Sequence, residues 1–203
     1  MKKTLLPLNL FMFLFLFSTT GFSQVFMEGT NEINAGIGFG SHYYGGYGTG
    51  FSSTPALTLT FDHGFRQIED IKGTIGLGGI LGFQGSTYNW NDGLGDTYKQ
   101  HWQNIIIAPR GTYHADFITS ENWDLYASLF MGIRIENYTF TSNNPSYNAL
   151  YEGNYGGVNF AAGITVGAAY YFTPLIGAFA ELGYDVAYFK VGVSFKTGGT
   201  EKK

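Results

Sequence analysis

The chain has 203 residues, no cysteine, 30 glycines, 18% aromatic residues and a formal charge of −4. Charged residues make up only 13%, about half the roughly 25% usual for soluble domains. This composition argues against an ordinary soluble globule, and the acidic balance and missing cysteines exclude a nucleic-acid-binding surface and a disulfide scaffold.

The N-terminus reads first. Lys2 and Lys3 precede an apolar run from Leu5 to Phe17, and Gly21 and Ser23 place small residues at −3 and −1. This is the pattern of a secretory signal peptide spanning 1–23, with cleavage expected before Gln24. Without Lys2 and Lys3, 9 basic residues remain against 15 acidic, a net charge of −6.

From residue 24 onward the period is two. "NEINAGIGFG" (31–40) alternates apolar Ile33, Ala35, Ile37 and Phe39 with Glu32, Asn34 and glycines, and "TPALTLTFD" (54–62) sets Leu57, Leu59 and Phe61 against Thr58, Thr60 and Asp62. Strict alternation marks strands with one apolar and one polar face. The third stretch, "GTIGLGGILGFQG" (73–85), has six glycines but fits neither a dinucleotide nor a phosphate loop: Leu81 stands where the third fingerprint glycine belongs, and no Gly-Lys-Ser/Thr follows. It reads as a strand whose lumen-facing Gly76, Gly78 and Gly82 leave room for Arg and Glu from across a narrow barrel.

The pattern continues through 101–114, 123–137, 158–172, 176–186 and 188–196. No apolar face carries a charge. Eight strands of about 9 to 15 residues match the ~9–11 residues that a tilted strand needs to cross hydrocarbon. The polar faces hold mainly Gly, Ala, Ser, Thr and Asn, unlike a solvated surface. Trp102, Tyr113, Trp123, Tyr170, Phe172, Tyr184 and Phe195 lie at strand ends, as interfacial girdles require. Longer connections at 41–53, 85–101 and 138–157 alternate with shorter ones at 63–72, 115–122 and 173–175. The expected fold is therefore an all-β, eight-stranded antiparallel up-and-down transmembrane barrel over 24–197, with a polar tail at 198–203.

With "GTIGLGGILGF", "FAELGYDVAYFKVGVSF" and a signal ending in Ser-Gln, the chain resembles the small outer-membrane β-barrel proteins of Gram-negative bacteria, the group related in architecture to OmpX and the OmpA barrel. The resemblance implies a fold and an outer-membrane location more firmly than an activity, since its motifs are architectural.

The inward-facing charges are Glu32, Asp62, Arg110, Arg134, Glu136, Glu181, Asp185, Lys190 and Lys196. In a bore only wide enough for side chains they must pair. Expected pairs are Glu32 with Lys196, Asp185 with Lys190, Arg134 with Glu136, and Glu181 with Arg110 or Arg134, giving a salt-bridged plug instead of a channel.

Other chemistry is thinner. Ser41–His42 and Ser86–His101 are the pairs a lipid hydrolase or acyltransferase would need, but they lie in no specific motif, and His114 reads as a strand cap or girdle contact. "NWNDGLGD" (89–96) lacks the ligand order of a calcium loop and reads as a turn. The outer loops are rich in Tyr, Asn and Gly, as adaptable binding surfaces are. Tyr43, Tyr44, Tyr47, Tyr147, Tyr151 and Tyr155 are the candidate contacts. The reading is a monomeric, non-enzymatic barrel without cofactor, surrounded by outer-membrane lipid and lipopolysaccharide, with an extracellular protein or glycan as loop ligand. A lipid-modifying enzyme and a narrow solute channel are the alternatives.

Overall fold

The computed structural model describes residues 25–40, 50–116, 120, 122–151 and 156–198. The signal peptide therefore lies outside the described residues. Among the described residues nine strands form: β1 (Thr30–Phe39), β2 (Phe51–Ser53), β3 (Ala56–Ile68), β4 (Gly73–Asn91), β5 (Thr97–Ala115), β6 (Trp123–Ser142), β7 (Gly157–Tyr171), β8 (Ile176–Tyr184) and β9 (Phe189–Gly198). A 3-10 turn, Glu69–Ile71, joins β3 to β4, and one short helix, α1 (Pro145–Tyr151), follows β6. No helix among the described residues is long and apolar enough to cross a membrane, which says nothing of strands.

All pairings are antiparallel, and eight strands close into a ring in the order β1, β3, β4, β5, β6, β7, β8, β9. The ring closes where β1 pairs with β9, from Thr30↔Gly198 to Phe39↔Phe189. The ninth strand, β2, continues the position of β3 on the same edge of β4, pairing with residues 86–88 while β5 holds the other edge. The expected eight-stranded barrel is thus the fold, and no ring strand keeps an unpaired edge along the closed section.

Alternation places the residues. Along β1 and β3 the buried positions are Glu32, Asn34, Thr58, Thr60 and Asp62, while Ile33, Ile37, Leu57, Leu59 and Phe61 are exposed. The apolar residues therefore form the outer wall and the polar ones fill the bore, the reverse of a soluble barrel. A shallow concavity of about 910 Å³ on this wall is lined by Ala35, Ile37, Leu57, Leu81, Val191 and Val193, among others.

Four strands outrun their sequence-based limits. The segment 85–101 is not a loop: β4 and β5 stay paired from Gly85↔Gln103 to Asn91↔Thr97, and β6 follows β5 as far as Ser142. Likewise β3 continues to Ile68, past a bulge between Gly64 and Arg66. Polarity along the upper extension is inverted. Below it, outward positions such as Phe83, Ile105 and Ile135 are apolar; above it, the outward positions are Thr87, Gln103 and Asn137, while Trp90, Tyr98, Trp102 and Phe140 take the bore-side face. Trp102 therefore does not belong to the outer girdle. It packs on Tyr138 at 5.5 Å between ring centroids, and Trp90 stacks on Tyr98 at 3.9 Å.

The bore is stoppered at both ends by chain segments. At the lower end, where β1 begins and β9 ends, residues 25–27 turn inward: Gly29 N–H donates to the Gly64 carbonyl at 2.8 Å, and the Phe26 ring stacks on His114 at 3.6 Å. Towards the upper end, the β8–β9 turn folds in, burying Val186 and Ala187 with Ile80, Ile106, Ala108 and Phe130. The inward glycines make room for near neighbours and not for Arg or Glu from across the bore: Gly82 and Gly38 for the β8–β9 turn, Gly76 and Gly78 for adjacent strands. A Cβ on Gly82 would lie 2.6 Å from Val186, one on Gly38 2.6 Å from Ala187, and one on Gly76 2.2 Å from the Thr112 hydroxyl.

Phe26 is 2% exposed, so its truncation leaves a cavity that the rigid wall cannot close. Phe26→Ala is expected to lower the unfolding free energy by about 3–5 kcal/mol, read from urea unfolding of the folded barrel in detergent or lipid.

Candidate functional site

The polar bore is the candidate site, and strand phase builds it. Residues 110, 112 and 114 of β5 and 124, 126 and 128 of β6 share the inward face, opposite Glu32 and Asn34 of β1 and Glu181 of β8. Two polar layers result.

Arg110 organises the upper layer. Its Nη2 donates to Glu181 Oε1 at 2.9 Å and its Nη1 lies 3.6 Å from Asp62 Oδ2. Tyr126 O–H donates to the same Glu181 oxygen at 2.9 Å, and its ring lies 5.8 Å from the guanidinium carbon. Lys190, the register partner of Glu181, forms ion pairs with both Glu181 and Asp185. Three carboxylates and two cations thus meet in one buried group. Above it, separated by the Ile80–Ile106–Phe130 layer, Arg134 pairs with Glu136 at 3.0 Å and donates to Asn104 Oδ1 at 3.0 Å; these two charged side chains are partly exposed.

The lower layer departs from the expected pairing. Glu32 and Lys196 are register partners, but their charged ends do not form an ion pair. Glu32 instead accepts hydrogen bonds from Tyr171 O–H at 2.5 Å and Asn34 Nδ2 at 2.6 Å. Lys196 donates to the Val25 carbonyl at 2.5 Å and lies 4.3 Å over the Tyr171 ring. The inserted N-terminal segment supplies an acceptor that strand pairing alone does not reveal. His114, expected as a strand cap or girdle contact, is buried in the bore: its Nδ1 lies 2.8 Å from Asp124 Oδ2 and its Nε2 3.1 Å from Thr112 Oγ1. Asp124, Tyr126 and Tyr171 were not among the expected network residues, although alternation already set them on the inward face.

The other candidates separate. His101 Nδ1 meets Thr87 Oγ1 at 2.9 Å on the outer side, whereas Ser86 meets Ser53 at 2.9 Å on the bore side. Ser86 and His101 therefore sit on opposite faces and do not form a nucleophile–base pair. Ser41 and His42 lie outside the described residues. The 89–96 segment is a hairpin tip in which Asp92 Oδ1 accepts from Leu94 N–H at 2.8 Å, while Asp96 Oδ2 accepts from Asn144 Nδ2 at 2.7 Å. Among the described residues, no group of three His, Cys, Asp or Glu converges to hold a metal. Of the loop tyrosines, Tyr147 packs edge-on against Tyr98 at 5.3 Å. Tyr43, Tyr44, Tyr47 and Tyr155, and the side chain of Tyr151, lie outside the described residues.

These features define an antiparallel barrel with an apolar wall and a stoppered, charge-paired bore. No protein-family model and no curated protein matches the chain. Among solved structures it is similar to Ail, the attachment invasion locus protein of Yersinia pestis, described in complex with the heparin analogue sucrose octasulfate, at 12% identity over 84% of this chain and 100% of that one, with a TM-score of 0.40. It is also similar to the N-terminal β-barrel domain of Pseudomonas aeruginosa OprF, at 15% identity over 84% of this chain and 98% of that one, with a TM-score of 0.40. The barrel assignment rests on the strand pairing and not on these similarities.

Removing Arg110 strands Asp62, whose one ion pair among the described residues is with Arg110. Arg110→Met is expected to cost about 3–5 kcal/mol. The double variant Arg110→Met/Asp62→Leu should recover more than ~1 kcal/mol relative to the summed single effects, because Glu181 keeps Lys190. Equilibrium unfolding of the four proteins measures this coupling.

Proposed function

We propose that this protein is a non-enzymatic bacterial outer-membrane barrel that conducts no solute and presents the β4–β6 extension and neighbouring loops for interaction outside the membrane. The observation that carries the reading is the level at which polarity inverts. The outward apolar run from Ile75 to Phe83 on β4 covers about 20 Å of height at ~3.3 Å per residue and ~40° tilt. A transmembrane barrel needs an apolar band of ~25 Å. Below this run, Trp123, Tyr170 and Phe172 cluster on the outer wall, with centroids 5.0 and 5.4 Å apart, where an interfacial girdle belongs.

The closed bore supports a structural and surface role over transport. Its charged side chains are held by partners within it, in ion pairs or by hydrogen bonds, and Phe26 and Val186 close it with apolar groups. Mature export, lipopolysaccharide surroundings and a monomeric state belong to the same reading.

Two measurements test it. The folded protein should insert into phospholipid bilayers, migrate differently on gels before and after boiling, and show no stable conductance in planar-bilayer recording; reproducible single-channel steps from the wild type would overturn the closed bore. Leu59→Arg, in the belt, should destabilise the inserted barrel by about 2–4 kcal/mol, whereas Thr139→Arg, above it, should cost ~1 kcal/mol or less. Equal costs at both positions would remove the proposed membrane boundary.

A further inference from the structure

Residues 25–27 belong to no strand, yet they meet every strand of the ring. Met27 N–H donates to the Thr30 hydroxyl of β1 at 3.1 Å, and the Met27 carbonyl fills the space that a Cβ on Gly64 of β3 would take. The Phe26 ring lies 3.4 Å from where a Cβ on Gly76 of β4 would stand, and it stacks on His114 of β5 at 3.6 Å. Val25 clusters with Tyr126 of β6, Ala169 and Tyr171 of β7 and Phe179 of β8, and its carbonyl accepts from Lys196 Nζ of β9 at 2.5 Å. Val25, Phe26 and Met27 are 6%, 2% and 7% exposed. A seat lined by all eight ring strands exists only once the ring has closed.

The ring does not need the segment in return. β1 pairs with β9 from Thr30 to Phe39 and with β3 from Asn31 to Gly38, and none of these ladder positions falls in 25–27. The segment is held by a turn bond from Thr30 N–H to the Met27 carbonyl at 3.0 Å, by Lys196 and by side-chain packing. A segment anchored in so few backbone bonds opens at a lower free energy than the ladder around it. The apolar layer of Ile80, Ile106, Phe130 and Val186 is a separate cluster, so the bore stays closed above when the segment leaves.

Lys196 has a second partner within reach. Its register partner on β1 is Glu32, whose oxygens are taken by Asn34 and Tyr171 while the segment is seated. Withdrawal of Val25 leaves a buried ammonium without its acceptor, which is costly, and Glu32 is the carboxylate directly across from it on the neighbouring strand.

We infer that residues 25–27 form a releasable strap, which docks on the closed ring, covers the lower polar layer, and on release passes Lys196 from the Val25 carbonyl to Glu32 while the wall strands stay paired. The two pairings of Lys196 are the two states of one device at the lower mouth.

The chain has no cysteine, so a single introduced thiol reports on the strap alone. Full-chain Met27→Cys and Ala108→Cys are folded separately and treated with a water-soluble maleimide, and only protein with the gel mobility of the folded barrel is scored. Met27→Cys is expected to react about tenfold faster or more than Ala108→Cys, whose wall must open first, and to keep the folded mobility once labelled. Glu28→Cys, at an exposed position beside the strap, should react fast throughout and so proves that the reagent reaches the mouth. Adding Phe26→Ala to Met27→Cys should speed labelling about tenfold or more; Phe26→Leu gives the same direction at smaller amplitude where the first variant does not fold. Adding Glu32→Gln, which removes the second partner of Lys196, should slow labelling about threefold, whereas a Glu32 that merely braced the seated strap would speed it. Reaction of Met27→Cys at the Ala108→Cys rate, or only in protein that has lost the folded mobility, overturns the releasable strap. Unchanged or faster labelling with Glu32→Gln overturns the exchange of partners.

Discussion

Closure of the sheet is the constraint on which the remaining structure depends. In the membrane setting proposed for this wall no water satisfies an open edge, so every backbone N–H and C=O in the belt must find a partner in the next strand. The β1–β9 pairing supplies the last of these partnerships and brings Ile33 beside both Phe61 and Phe195. With eight strands, closure also fixes a bore just wide enough for side chains. The glycines facing inward and the large residues opposite them are two halves of that geometric condition: Gly167 exists beside Tyr126, and Gly163 beside Phe130 and Asp185.

A narrow bore makes each buried charge expensive unless matched. The upper layer answers with a shared arrangement, in which Glu181 takes Arg110, Lys190 and Tyr126 together. The lower layer uses fewer ion pairs and more neutral donors, with Tyr171 and Asn34 serving Glu32. Both layers are shielded by segments that are not wall strands. Phe26 comes from the chain before β1, and Val186 and Ala187 from the turn between β8 and β9. Stability and closure of the bore therefore share one structural cause.

Above the belt, the same three strands keep their pairing and reverse their polarity. The backbone does not register the change, since β4, β5 and β6 run through it without a break in register between Phe83 and Asn91. What changes is the chemistry each face carries. Aromatic residues turn towards the mouth and α1, while amides and hydroxyls turn to the outside, so one continuous sheet serves as an apolar wall below and as a polar surface above.

Period-two alternation was enough to read the barrel, its eight wall strands and the inward set around Arg110 and Glu181, because each residue in a strand faces opposite to its neighbour whatever surrounds it. The same rule already placed His114, Asp124, Tyr126 and Tyr171 inside. It was silent on their partners, which depend on how deeply strands far apart in sequence project into a common layer. It also misread 85–101 and 138–142 as loops, since a strand whose apolar and polar faces exchange loses its alternation signal at the boundary. Local sequence thus determined which residues face the wall and which face the bore. Only the tertiary structure decided that Lys196 reaches the Val25 carbonyl instead of Glu32, and that Phe26 stacks on His114. Those contacts join the segment before β1 to distant strands, and ring closure alone brings them within reach.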